Sequence, residues 1–266
     1  MSFNLWQIPV TNRKKINIRY YQTIGSTNRE AVNLARDGAE EWTVVAAAEQ
    51  TAGRGRYQRQ WISPVGAGLW FSVILRPKLE INFLNLLGLT TAVILRDFIA
   101  EIIRDTSSAK KFKVELKWPN DILLNNKKIS GLLFESGISA RKLNYVIAGI
   151  GININQSVKD FPRSLQKTAI SLKMATSKHW DLQELLNRCL KFYYQGYRQS
   201  ELSHFKNIIP RYEKYLLFKN KSIQIRFPAN EMTGILRGIN QLGHLLLERG
   251  GQVSEITSGD YGPLKR

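Results

Sequence analysis

The sequence contains few of the residues that form covalent cross-links or metal sites. Its 266 residues include one cysteine, Cys189, and three histidines, His179, His204 and His244. A single cysteine cannot form an internal disulfide, and its helix-like surroundings favour a core or helix-face position over a nucleophile. The scattered histidines support neither a zinc cluster nor a Ser–His–Asp triad. This content fits a reducing compartment, and we expect a cytoplasmic protein.

Long apolar runs are also missing. No run of about 18 apolar residues occurs, which argues against a membrane span. Residues 1–17 lack the apolar segment of a secretory signal. Apolar residues still make up 43% of the chain, an ordinary share for a globular protein with a full core. The length suits one large domain, or a large domain and a small one.

Acidic side chains are scarce relative to basic ones. The chain has 21 Asp and Glu against 39 Lys and Arg, a formal net charge of +18. Such an excess favours anionic partners, and a basic nucleic-acid-binding protein is one hypothesis. The basic residues are spread along the chain, however, and the sequence shows neither a helix-turn-helix ahead of the first motif nor an RNP-type aromatic motif. We therefore expect no specific DNA binding.

What the chain does contain is a glycine- and arginine-rich segment between two strand-like runs. Residues 49–75 read EQTAGRGRYQRQWISPVGAGLWFSVIL. Glycine lets backbone N–H groups approach a ligand closely, and arginine offers a planar fork that matches phosphate or carboxylate. A solvated Arg-rich turn is the alternative interpretation of GRGR alone. Trp61 and the following SPVGAG turn favour an anion-binding loop.

Three further blocks accompany this loop. Ser26, Thr27 and Asn28 precede it, residues 117–135 read KWPNDILLNNKKISGLLFE, and residues 149–153 read GIGIN. Together the blocks resemble the biotin protein ligases, which carry STN, GRGRxxRxW, KWPND, a lysine shortly before a glycine and a glutamate, and GIGIN in that order. The resemblance covers roughly residues 20 to 160. It is to a short form of the family, without the N-terminal DNA-binding domain of the repressor-ligases.

The resemblance implies an α+β fold. Its expected parts are a mixed, mostly antiparallel sheet with helices, related to class II aminoacyl-tRNA synthetases, and a small C-terminal SH3-like β-barrel. We expect the catalytic biotin- and ATP-binding domain over residues 1–218 and the barrel over residues 219–266. Periodicity alone gives only an α+β region followed by an all-β one.

The sequence pattern also predicts individual elements. Strands are predicted at 17–24, 43–48, 68–76, 112–118, 121–125, 128–136 and 143–153, and shorter ones from about 221 to 260. Helices are predicted at 82–105, 181–202 and 204–217, the last perturbed by Pro210. Another helix is predicted to begin with a capping box from Thr27 to Glu30 and to end at Gly38. Asn125 and Asn126 predict a hairpin turn.

The resemblance further implies a reaction. The family joins biotin to ATP, which gives biotinyl-5′-AMP and pyrophosphate, and then passes the biotinyl group to one lysine of a carrier domain. We expect biotin and ATP as substrates, Mg²⁺ with unassigned ligands, and the biotin carboxyl carrier protein of acetyl-CoA carboxylase as acceptor. The family includes monomers and homodimers. A lipoate–protein ligase of the same fold is the alternative, although such enzymes lack the GRGRxxRxW and KWPND strings.

Matching the motifs position by position assigns the site residues. The expected catalytic residues are Lys128, Arg56 and Asp121, with Lys127 left open as an alternative register. The expected biotin contacts are Ser26, Thr27, Asn28, Gln50, Arg54, Gly55, Arg56 and Lys128. The expected ATP or adenylate contacts are Arg54, Arg56, Arg59, Trp61, Lys117, Asn120 and Asn153.

Several of these residues also have a purely structural interpretation. Trp61 could be a core tryptophan, and Asn153 a turn residue. Ser26 and Thr27 could serve only as helix caps. Asp121 has two functional interpretations: it could orient Lys128, or it could take a proton from the acceptor lysine in the second step.

Overall fold

The computed structural model describes residues 2–12, 14–106, 112–140, 142–202, 204–205, 207–227 and 230–264. An eight-stranded sheet forms its larger part. The strands are β1 (Phe3–Pro9), β2 (Lys15–Ile24), β3 (Thr43–Gln50), β4 (Gly68–Leu75), β5 (Val114–Lys117), β6 (Asp121–Leu124), β7 (Lys127–Ser139) and β8 (Lys142–Asn153). They are ordered β1-β2-β3-β4-β8-β7-β6-β5. β2 and β3 pair in parallel, and the other neighbours pair antiparallel.

Helices pack on both faces of this sheet. They are α1 (Thr27–Arg36), α2 (Leu84–Arg104), α3 (Leu172–Thr176), α4 (Leu182–Leu202) and α5 (Ile208–Glu213). β4 is buried along its whole length, because helices cover both faces of the sheet. Its sequence is accordingly a nearly continuous apolar run. Phe71 packs in the larger core with α2 and α4, whereas Ile74 packs in a smaller core with α1. No helix in the described part of the chain is both long and apolar enough to cross a membrane.

A second, five-stranded antiparallel sheet follows. Its strands are β9 (Ser222–Arg226), β10 (Glu231–Ile239), β11 (Leu245–Arg249), β12 (Gln252–Ile256) and β13 (Asp260–Pro263), ordered β12-β11-β10-β9-β13. The mostly antiparallel first sheet, its helices and this C-terminal sheet confirm the expected α+β class.

The two sheets share one hydrophobic core. Ile225 and Leu236 of the second sheet belong to the same buried cluster as Leu89 of α2. Hydrogen bonds reinforce the contact: Trp118 Nε1 donates to the Gly243 carbonyl at 3.0 Å, and the Tyr261 hydroxyl donates to the Leu217 carbonyl at 3.0 Å. The boundary after residue 218 therefore stays a prediction, because the packing is continuous across it.

Two local predictions differ from the structure, and the edge strand β1 was not predicted. The capping box is wrong: Ser26 is the N-cap and makes no side-chain cap bond, while Glu30 accepts from the Tyr21 hydroxyl at 2.9 Å. The helix predicted over 204–217, of which residue 206 lies outside the described residues, is reduced to α5. Within it Pro210 is the third residue, where its missing N–H costs no helical hydrogen bond.

Candidate active site

Two paired glycines form a flat patch on the α1 side of the sheet, the glycine patch, and Trp61 packs against it. Gly131 of β7 and Gly151 of β8 are paired neighbours. A Cβ at Gly151 would lie 2.6 Å from Trp61 Nε1, and one at Gly131 would lie 2.9 Å from Trp61 Cζ3. The indole can therefore rest on the sheet backbone only because both positions lack a side chain. Trp61 Nε1 is buried without a hydrogen-bond partner among the described residues.

Lys128 lies beside this patch. Its Nζ is 5.2 Å from the Trp61 ring centroid and 2.7 Å from Asp121 Oδ1, whose side chain is 17% exposed. Backbone bonds fix the residue, because its N–H donates to the Thr168 carbonyl at 2.7 Å and its own carbonyl accepts from the Ile170 N–H at 3.0 Å. Lys128, rather than its neighbour Lys127, is thus the lysine that contacts Asp121.

The hairpin before Lys128 follows from its two asparagines. Asn125 and Asn126 have φ values of 48° and 63°, the left-handed conformation that a two-residue hairpin turn needs and that asparagine tolerates well. The turn returns the chain antiparallel to β6 and pairs Lys127 with Leu124 and Lys128 with Leu123, before the register shifts between Leu123 and Ile122. Local turn chemistry therefore determines where the lysine lies.

The residues of the STN block meet Gln50 at the start of α1. Gln50 Oε1 accepts from the Thr27 N–H at 2.9 Å and from the Thr27 hydroxyl at 3.0 Å. Gln50 Nε2 donates to the Ser63 hydroxyl at 3.0 Å. Gln50 of β3 thus accepts the hydrogen bond from the Thr27 N–H at the start of α1. In the predicted capping box, Glu30 would have accepted it. Neither Ser26 nor Thr27 caps the helix through its side chain.

Asn28 completes this group and introduces a residue that the motif assignment left without a role. Its Nδ2 donates to Glu135 Oε2 at 2.7 Å and to the Leu133 carbonyl at 3.3 Å. The Ser72 hydroxyl donates to its Oδ1 at 2.6 Å. Glu135 is the glutamate that closes the KWPND-to-glutamate block, so the sequence marked its position but not its contact.

The Gly-Arg loop, residues 53–61, closes on itself. The Trp61 N–H donates to the Gly53 carbonyl at 2.9 Å, and the Gly55 N–H donates to the Arg59 carbonyl at 2.7 Å. Tyr57 and Gln58 have left-handed φ values of 55° and 56°. Outside the loop, Arg54 Nη2 lies 3.7 Å from Glu135 Oε1. The loop thus spans from the α1 side of the sheet to the second sheet.

The other loop arginines contact the second sheet. Arg56 Nη1 donates to the Gly259 carbonyl at 3.0 Å, and Arg59 Nη1 lies 2.9 Å from Asp260 Oδ2. Lys117 Nζ lies 2.8 Å from the other oxygen of Asp260. Burial alone would raise the pKa of Asp260, but the two cations outweigh burial and lower this pKa to about 2. Asp260, the first residue of β13, therefore contacts two predicted phosphate-binding cations, and the preceding residue Gly259 contacts a third.

Asn120 and Asn153 are held by the protein itself. Asn120 Nδ2 donates to the Leu132 carbonyl at 2.7 Å. Asn153 Nδ2 donates to the Ile170 carbonyl at 3.1 Å, and its Oδ1 accepts from Gln156 Nε2 at 3.1 Å. Both amides brace the strand ends around Lys128, so their proposed nucleotide contacts would be additional to these bonds.

The predicted residues thus form three neighbouring groups. Ser26, Thr27, Asn28 and Gln50 meet at the α1 end, and Arg54 joins them through Glu135. Lys128, Asp121 and Trp61 lie over the glycine patch. Arg56, Arg59 and Lys117 contact Gly259 and Asp260, at the start of β13. Among the described residues, no group of three or more His, Cys, Asp or Glu side chains could hold a metal ion.

Comparisons with known proteins show which family the chain belongs to. Residues 20–153 match the biotin/lipoate A/B protein ligase family. The chain is 35% identical to a bifunctional ligase/repressor BirA of Bacillus subtilis, covering 91% of this chain and 72% of that protein. It is 27% identical to a biotin--[acetyl-CoA-carboxylase] ligase of Mycobacterium tuberculosis, covering 91% and 86%.

A solved structure matches in three dimensions as well. The biotin protein ligase of Aquifex aeolicus in complex with biotin and ATP superposes with a TM-score of 0.73 at 31% identity, covering 92% of this chain and 97% of that one. The fold and the site therefore define a ligase built on this mixed sheet. The chain belongs to the biotin/lipoate A/B protein ligase family, and the resemblance seen in its motifs is confirmed.

Proposed function

We propose that this chain is an ATP-dependent biotin protein ligase that makes biotinyl-5′-AMP and transfers biotin to a carrier lysine. The observation that carries the proposal is Lys128, held by Asp121 at 2.7 Å and lying 5.2 Å from the Trp61 ring over the glycine patch. This arrangement places a cation beside an aromatic face. The cation can bind the carboxylate or a phosphate, and the aromatic face can stack against the base of the nucleotide.

The first step brings two anions together. The biotin carboxylate attacks the α-phosphorus of ATP, a new C–O–P bond forms, and pyrophosphate leaves. Two unit charges about 4 Å apart repel by roughly 4 kcal/mol at an effective dielectric near 20. The site must offset this repulsion with cations that bind the oxygens around the reacting phosphorus most strongly in the transition state. We assign this role to Lys128 and Arg56.

Binding of biotin falls to the α1 end of the site. Its ureido ring needs a few directed hydrogen bonds, and its aliphatic tail needs an apolar surface. Ser26, at the N-cap position without a side-chain cap bond, is available to the ring, whereas the Thr27 hydroxyl already bonds Gln50. Thr27, Asn28, Gln50, Arg54 and Gly55 shape the same end.

The nucleotide falls to the other end. Trp61 offers its exposed face to adenine, and Arg59 and Lys117, with Arg54, offer cations to the phosphates. Asn120 and Asn153 lie at the adjoining strand ends. Mg²⁺ would come with the nucleotide, since this ion is usually held by substrate phosphates, water and one or two carboxylates rather than by an all-protein cage.

In the second step the amine of the acceptor lysine attacks the biotinyl carbonyl. An amide forms, the bond to AMP breaks, and the amine loses a proton. Asp121 already pairs with Lys128, so we assign it the orientation of that lysine rather than proton transfer. The acceptor is a biotin carboxyl carrier protein, as the name of the M. tuberculosis relative implies. The single cysteine supports a cytoplasmic reaction.

Mass spectrometry of the purified protein after incubation with biotin and Mg-ATP tests the proposal. Bound biotinyl-5′-AMP is expected, without added nucleic acid. A parallel incubation with lipoate should give little or no adenylate. Adenylate formed from lipoate alone, or only when nucleic acid is present, would contradict the proposed substrate.

A further inference from the structure

Glu135 lies between two segments that the motifs treat separately. Its Oε2 accepts from Asn28 Nδ2 at 2.7 Å, and its Oε1 lies 3.7 Å from Arg54 Nη2. Asn28 belongs to the STN block and Arg54 to the Gly-Arg loop. The carboxylate is 35% exposed and stands on the α1 face of β7. One acidic side chain therefore contacts both borders of the biotin end of the site.

The contacts with Glu135 and with the Leu133 carbonyl together determine which way the Asn28 amide points. The Leu133 carbonyl and the Glu135 carboxylate can only accept hydrogen bonds, so the NH₂ group must face them. The amide oxygen then faces the Ser72 hydroxyl at 2.6 Å. A Cβ at Gly149 would overlap this oxygen, so the amide lies directly against the sheet backbone. Asn28 thus has one orientation that satisfies every neighbour.

The Ser72 hydroxyl connects Asn28 to Thr27. Ser72 Oγ lies 2.6 Å from Asn28 Oδ1 and 2.8 Å from Thr27 Oγ1, but a hydroxyl has one proton to donate. When Ser72 donates to Asn28, the Thr27 proton can go either to Ser72 or to Gln50, whose Oε1 is 3.0 Å away. The chain of contacts continues from Gln50 to Ser63. Glu135 thus belongs to one hydrogen-bond network with Thr27 and Gln50, neither of which it contacts directly.

We propose that Glu135 is the positioning residue that locks the STN block to the Gly-Arg loop, so that the biotin end of the site is assembled before biotin arrives. This inference rests on the proposed biotin ligase function. Without the carboxylate, the Asn28 amide and the Arg54 guanidinium each regain rotamers that biotin binding would have to remove again. The cost falls mainly on biotin affinity, because Arg54 keeps its charge for the phosphates and the other two phosphate-binding cations, Arg59 and Lys117, are held independently by Asp260.

Three substitutions, one double variant and one control test the proposal. Glu135→Gln keeps the size and an acceptor for Asn28 but removes the charge that faces Arg54, and Glu135→Ala removes both contacts. Arg54→Gln, alone and combined with Glu135→Ala, measures the coupling between the two side chains. Glu49→Gln is the matched control, since Glu49 lies next to Gln50 but bonds the Thr23 hydroxyl at 3.0 Å instead. Steady-state adenylate formation gives KM for biotin and KM for ATP separately.

The expected result is a split between the two KM values. Glu135→Ala should raise KM for biotin about tenfold or more with KM for ATP within about twofold, and Glu135→Gln should fall between it and the wild type. Arg54→Gln should add little in the Glu135→Ala background. Equal rises in both KM values, an additive double variant, or an unchanged KM for biotin would each overturn the inference.

The same assay separates this inference from the proposed function. Wild-type protein and Glu49→Gln must make biotinyl-5′-AMP for the comparison to be possible. If neither makes it, the ligase proposal fails. If both make it and the Glu135 variants match them, only the positioning role fails. Circular dichroism melting of Glu135→Gln checks folding, because its isosteric side chain leaves the packing of β7 unchanged.

Discussion

Lys128 is held in place by contacts that owe nothing to a ligand. Its backbone bonds the carbonyl of Thr168 and the N–H of Ile170, and its ammonium meets Asp121 at 2.7 Å. A charge fixed in this way loses little freedom when a phosphate binds, and this preorganisation favours the transition state. The same contacts separate Lys128 from Lys127, which the sequence could not separate.

Lys128→Ala should therefore remove most adenylate synthesis. A lost charge-assisted hydrogen bond costs about 1.5–3 kcal/mol, which is roughly ten- to a hundredfold in rate, and more if Asp121 is left unpaired. Lys127→Ala is the matched control and should cost far less. Pyrophosphate release measured with both variants checks the prediction. Reversed results would show that the catalytic lysine is the other one.

At the scale of elements, the Gly-Arg loop joins the two sheets. Its Arg56 guanidinium bonds the Gly259 carbonyl at 3.0 Å and lies 4.9 Å from the Tyr57 ring. Because Lys128 remains to stabilise the transition state, loss of Arg56 should weaken the hold on the adenylate phosphate more than it slows the chemistry.

Arg56→Gly should accordingly weaken retention of biotinyl-5′-AMP more than its formation. A released mixed anhydride acylates any exposed lysine, so the variant should biotinylate a bystander protein such as serum albumin. Arg249→Gly, at an exposed strand end, serves as the control. Filter-retention kinetics give the off-rate of the adenylate, and an off-rate equal to that of the wild type would refute the clamping role of Arg56.

The elements themselves show what local pattern can determine. Strongly apolar runs such as residues 43–48 and 68–76 were predicted to within two residues, because burial on both faces leaves little choice of pattern. β1 was missed because an edge strand with one buried residue has almost no pattern. The capping box failed because Gln50, 23 residues away, takes the Thr27 N–H, and no local rule anticipates such a partner.

The site residues likewise divide into those that a short motif can predict and those that it cannot. Motif residues such as Lys128 and Trp61 could be assigned from the sequence, because a short block carries them. Ser72, Glu135 and Asp260 could not be given roles, because each acts through a residue distant in sequence. Asp260, for example, meets Arg59 across 201 positions. Strand register and sheet packing create these contacts, and neither is encoded in a short motif.

At the scale of the whole molecule, Asp260 couples the second sheet to the first. Lys117 and Arg59 outweigh its burial and lower its pKa from 3.8 to about 2. A carboxyl whose pKa is lowered by folding stabilises the folded state at pH values above its pKa in the unfolded chain. This contribution is lost as pH falls from 3.8 toward 2. The contact should therefore weaken in acid.

Asp260→Asn tests this coupling. The wild type should melt at a higher temperature than the variant at pH 6, and the difference should shrink as pH is lowered through this window. Glu40→Gln is the control, since it breaks an exposed surface pair with Lys14 that solvent screens. Thermal melts between pH 2.5 and 6 measure both. A difference that stays constant with pH would exclude the ionised carboxylate as its cause.

The net charge of +18 makes its own prediction about the acceptor. Opposite fields raise association rates, and salt screens exposed charges over about 8–10 Å. We expect the carrier domain to be acidic, so raising salt from low to several hundred millimolar should lower kcat/KM of the transfer step first. Adenylate formation should change later, because the side chains of Lys117 and Lys128 are only 21% and 36% exposed. Any DNA affinity should be equally salt-sensitive and indifferent to sequence. Both half-reactions measured across one salt series decide the matter, and a transfer step unmoved by salt would make nucleic acid the first candidate for the basic surface.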